Sequence, residues 1–139
     1  MENSHISKLN RDNISSHVDN ILSLIKYCSC NVSKESEMIT FNIKLALWEI
    51  FTNFICHGTE ESCRDVYIMV DETDSEIILK VTSDGNEFEW KDYQDKGCPD
   101  VTETRGRGLF ILQQICHTFY YEQNGQVANM TFKKGEIIC

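Results

Sequence analysis

The chain has 139 residues, 41% hydrophobic and 25% charged, with a formal net charge of −9 and a pI near 4.8. That length buries one ordinary core and fits a single domain. The acidic balance excludes the broad basic face that nucleic acid or an anionic membrane demands, so neither is expected as a partner.

The N-terminus, MENSHISKLN, is polar and carries no signal-peptide core, and no apolar run approaches the roughly 18 residues of a membrane span. Residues 13–28 then read as a first helix, because Ile14, Val18, Ile21, Leu22 and Ile25 recur at helical spacing behind a capping Asn13. After a polar connection at residues 31–36, a long central helix is expected over residues 37–57, with Gly58 as its stop. Two strands are expected at residues 65–71 and 76–82, joined by a polar hairpin connection. Residues 83–107 are polar, rich in Asp, Glu, Lys and Gly, and hold the single proline, Pro99, which reads as a lid or an insertion. An apolar helical pattern over residues 109–116 follows. Two last strands at residues 118–122 and 127–133 flank Asn124-Gly125, a strong hairpin signal. This order predicts an α/β two-layer sandwich, with helices on one face of a mixed, mostly antiparallel sheet of four or five strands. No β-α-β alternation is present, which argues against a doubly wound nucleotide fold.

Seven cysteines, an odd count without any C-x-x-C pair, are expected to be structural or incidental thiols in a reducing compartment, which places the protein in the cytoplasm. His5, His17 and His117 show no metal-ligand spacing.

Chemistry concentrates in three stretches. IKLALWEIFTNFICHG (residues 43–58) is too apolar for a surface helix, yet Glu49, Asn53 and His57 recur at steps of four and form one polar stripe. Such a stripe either faces water or lines a pocket for a polar ligand or a metal, since an unpaired buried charge is strongly unfavourable. An amide oxygen suits Mg²⁺, and a carboxylate one turn away can position or deprotonate a hydroxyl nucleophile. The second stretch, Arg105-Gly106-Arg107-Gly108-Leu109, leads into a helix. Its glycines let backbone N–H groups approach an anion, and its arginines add charge that the acidic chain otherwise lacks. The third, Ser83-Asp84-Gly85-Asn86-Glu87-Phe88-Glu89, follows a strand and alone reads as a turn.

Together and in this order, over residues 13–133, the three stretches resemble the GHKL-type ATPase domains (Bergerat fold), and specifically the anti-sigma-factor serine kinases of partner-switching systems. LALWEIFTNFICHG is similar to the family's N box, which implies Glu49 as general base and Asn53 as Mg²⁺ ligand, with His57 on the same cofactor-facing stripe. GRGLFILQQICHTFYYEQNG is similar to the G2 box, which implies that Gly106, Arg107, Gly108 and Leu109 lie against an ATP triphosphate. The resemblance further implies Arg105 as a catalytic, phosphate-contacting arginine and a lid over residues 89–107. It also implies a sigma factor and an anti-anti-sigma antagonist as protein partners, and a homodimer. The G1 box departs from the pattern. Anchored on Gly85 and Phe88, the chain puts Ser83 where an adenine-reading aspartate belongs and Glu87 at the second glycine, with Asp84 as the nearest carboxylate. Losing such a charge-assisted bond costs ~1.5–3 kcal/mol, or roughly 10- to 150-fold in affinity.

Overall fold

The computed structural model describes residues 2–30, 33–56, 65–83, 105–122 and 126–135. Five strands form one sheet: β1 (Glu2–Ile6), β2 (Val66–Glu72), β3 (Glu76–Ser83), β4 (Thr118–Glu122) and β5 (Val127–Lys133). Their order is β1-β2-β3-β5-β4, and every pairing is antiparallel. Helices α1 (Ile14–Ser23), α2 (Lys26–Cys30), α3 (Lys34–Cys56) and α4 (Arg105–Ile115) pack on one face. The α/β sandwich expected from element order is the fold observed.

Period-2 patterning sets the sheet's two faces. On β3 the buried residues Ile77, Leu79, Val81 and Ser83 alternate with half-buried Ile78, Lys80 and Thr82. The core lies between those buried positions and α3, which contributes Ile43, Ala46, Leu47, Ile50, Phe51 and Phe54. Fully burying each of the larger side chains stabilises the fold by ~1.5–3 kcal/mol. The far half of α3 is wetter than its composition suggests, because Met38 and Phe41 are each 63% exposed.

Four local features depart from the expectation. The first strand, β1, was invisible in a polar N-terminus. It is an edge strand held by backbone pairing to β2, with only Ile6 buried, so it shows no alternation to read. Helix α3 begins at Lys34, three residues before the position expected, because Ser33 and Ser36 cap each other. The Ser33 N–H donates to Ser36 Oγ at 3.0 Å and the Ser36 N–H to Ser33 Oγ at 3.1 Å.

Asn13 does sit at the N-cap of α1, but its side chain makes no capping bond there. Its Nδ2 instead donates to the Lys8 carbonyl at 2.9 Å, and its Oδ1 accepts from the Asn10 N–H at 2.9 Å, fixing the turn in which Lys8 adopts φ 61°. The single helix expected over residues 13–28 is broken between Ser23 and Lys26. The cause is Glu72 at the end of β2, whose carboxylate accepts from the Lys26 and Tyr27 N–H groups at 2.8 and 3.1 Å and so starts a new helix. No described helix is long and apolar enough to cross a membrane.

Candidate functional site

The polar stripe of α3 lies where the helix turns from core to surface. Glu49 and Asn53 are both half-buried, one turn apart. Glu49 has no hydrogen bond or ion pair among the described residues, and burial pushes its carboxyl above the ordinary carboxylate value. A carboxylate held near the core without a partner is costly to the fold, and such sites are typically kept for chemistry.

Asn53 is held differently. Its Nδ2 donates to the hydroxyl of Tyr121 on β4 at 3.0 Å. Tyr121 is 4% exposed and packs edge-on against Phe119, with ring centroids 5.0 Å apart. Directly opposite Tyr121 on β5 stands the buried Ala128. Burial pushes the Tyr121 hydroxyl well up, the Asn53 bond partly offsets this, and the negative charge of nearby Glu49 adds to it. Three residues from two elements therefore meet: a carboxylate, an amide and a buried phenol. With Nδ2 engaged, the amide presents Oδ1 as its remaining acceptor, a hard oxygen of the kind Mg²⁺ takes. The donor set fits that ion.

Tyr121 was missed in the sequence. The signal was faint: positions 119 and 121 share one face of an expected strand, and a tyrosine on a buried face needs a partner for its hydroxyl.

Ser83 ends β3 on the helix-covered face and is 5% exposed, with its N–H donating to the Gln126 carbonyl at 2.8 Å. It belongs to the strand and not to the turn that its sequence context suggested. Residues 105–108 are helical and form the first turn of α4, four residues ahead of the apolar pattern, so that the helix takes in residues 105–107 of the expected lid. Their backbone supplies the free N–H groups of a helix N-terminus, where an anion is favoured. Their side chains lie outside what the structure describes. Leu109 is a core residue, 4% exposed, so its side chain fastens α4 to the sheet and only its backbone is left for a phosphate. His57, Asp84, Gly85 and Phe88 lie outside the described residues, as do Gly58, the rest of the lid and the Asn124-Gly125 turn.

The chain thus combines a one-face α/β sandwich with a carboxylate–amide helix and a second helix whose first turn is Arg-Gly-Arg-Gly. Residues 15–132 match the histidine kinase-like ATPase domain family, and the chain belongs to that family. Membership implies an ATP site. No curated protein matches the chain.

Proposed function

We propose that this protein is an anti-sigma-type serine/threonine protein kinase that acts in the cytoplasm as a homodimer. It would bind a sigma factor and, separately, phosphorylate an anti-anti-sigma antagonist with ATP. The observation that carries the proposal is the pairing on α3 of a half-buried Glu49, without a partner among the described residues, with an Asn53 amide anchored to Tyr121.

In this reading Asn53 Oδ1 would hold Mg²⁺, and Glu49 accepts the proton of the incoming serine or threonine hydroxyl as its oxygen bonds to the γ-phosphorus and the bond to the β-phosphate oxygen breaks, releasing ADP. Burial suits that role, because it raises the proton affinity of Glu49 toward the working pH. The backbone of residues 105–108 receives phosphate oxygens at the start of α4, with Arg105 and Arg107 as the cationic groups. Mg²⁺ held by Asn53 would supply positive charge to the phosphates.

Ser83 favours a second reading. A buried serine where relatives place an adenine-reading aspartate weakens nucleotide selectivity, which suits a nucleotide-dependent binding module that never transfers phosphate. The two are separated by incubating the native antagonist with Mg·ATP and either the parent protein or Glu49→Gln, then weighing the antagonist by mass spectrometry. The kinase reading expects one added phosphate with the parent and none with Glu49→Gln, while ATP binding persists in both. An antagonist that binds only with nucleotide and never gains mass leaves the binding module.

A further inference from the structure

We infer that Tyr121 is the positioning residue of the site, orienting the Asn53 amide so that its oxygen, not its nitrogen, faces the cation. The inference rests on the reading of Asn53 as the Mg²⁺ ligand and adds a residue from another element to it.

An asparagine side chain is nearly symmetric in shape, and its terminal torsion is broad and roughly two-fold. Sterics alone therefore leave oxygen and nitrogen interchangeable, and a site that needs a hard oxygen ligand must break that symmetry with a hydrogen bond. Tyr121 supplies it, accepting from Asn53 Nδ2 at 3.0 Å. The phenol is well fixed, being 4% exposed and held edge-on by Phe119.

A phenolic hydroxyl both donates and accepts, so its own orientation matters. Burial first, and then the nearby Glu49 charge, keep the phenol protonated and neutral, with its oxygen on the Asn53 side. That oxygen accepts the Asn53 Nδ2 proton. A buried phenol on β4 thus orients the proposed metal ligand on α3. Partners that orient a metal ligand are typically worth roughly 10- to 100-fold in affinity.

The test is calorimetry of ATP with and without Mg²⁺ on the parent, Tyr121→Phe, Asn53→Ala and the double variant. Tyr121→Phe keeps the ring and deletes only the oxygen. It is expected to weaken Mg·ATP binding about tenfold while changing metal-free ATP binding by less than about twofold. The double variant is expected to bind no more weakly than Asn53→Ala, because the phenol acts through the amide. If Asn53→Ala loses the Mg²⁺ effect and Tyr121→Phe retains it, the positioning role is overturned and the ligand reading stands. If both retain it, the ligand reading falls and the positioning role falls with it. A readout that needs no folded variant is the side-chain NH₂ pair of Asn53 in the NMR spectrum of the ligand-free parent. One of its two protons should exchange slowly with water, and rapid exchange of both would overturn the inference.

Discussion

Replacing Glu72 with alanine is the perturbation that best probes how the helical layer is fastened to the sheet. The Glu72 carboxylate makes three contacts: the Lys26 N–H at 2.8 Å, the Tyr27 N–H at 3.1 Å and Lys134 Nζ at 2.8 Å. The side chains of Glu72 and Lys134 are 18% and 9% exposed, so this pair stands between a surface ion pair and a buried one. Loss of a helix cap costs ~1 kcal/mol, and a pair at that depth adds about 1–2 kcal/mol. Lys134 keeps its second acceptor, the Thr73 carbonyl at 2.6 Å, which limits the penalty of stranding it. The expected loss is therefore roughly 2–3 kcal/mol, or a fall in Tm of about 5–12 °C for a domain of this size.

Acid should mimic the mutation. Burial opposes charge on Glu72, but Lys134 and the two backbone N–H groups outweigh it and hold the carboxyl below its ordinary value. A carboxyl depressed in the folded state stabilises fully above its unfolded pKa of about 4.3, and that contribution disappears as pH falls through the folded value. Urea titrations of the parent and Glu72→Ala between pH 3 and 7 would show two stability curves converging at the acid end. A loss under about 0.5 kcal/mol at pH 7, or curves that stay parallel in acid, would refute the view that Glu72 starts α2 through its charge.

Three further outcomes are expected. Glu49 is raised by burial in the fold, so its ionisation above the unfolded value works against folding; Glu49→Gln should stabilise the ligand-free protein at pH 7, read as a higher Tm, and an unchanged or lower Tm would refute this. Ser83→Asp should increase the preference for ATP over GTP in competition binding if residue 83 faces the base, and an unchanged preference would move that role to Asp84. The Cys116 thiol is buried and pushed up to about 12, so peptide mapping after iodoacetamide treatment at pH 7.5 should find it unlabelled until urea unfolds the chain.

The sequence exposed what depends on periodicity. The apolar arc of α3, the alternation of β3 and the paired runs of β4 and β5 each bury one face, and that pattern survives in the letters. What escaped depends on partners distant in sequence. The break between α1 and α2 is imposed by a carboxylate 46 residues away, and β1 is held by backbone bonds that leave no side-chain signature. The site divides the same way. Glu49 and Asn53 stood out as polar residues on an apolar helix, whereas Tyr121 reaches Asn53 across 68 positions and looks like any strand tyrosine. Residues 105–108 were legible as a glycine-rich approach to a helix, but glycine's weak helix propensity hid that they are its first turn.

The central claim is that α3 builds a Mg²⁺-dependent ATP site around Asn53. Calorimetric titration of the parent with ATP, ADP and GTP, with and without Mg²⁺, set beside Asn53→Ala, tests it most directly. The account predicts that Mg²⁺ tightens ATP binding by the parent, and that Asn53→Ala loses this effect while its circular dichroism spectrum stays unchanged. An Asn53→Ala protein that binds Mg·ATP as tightly as the parent would contradict it.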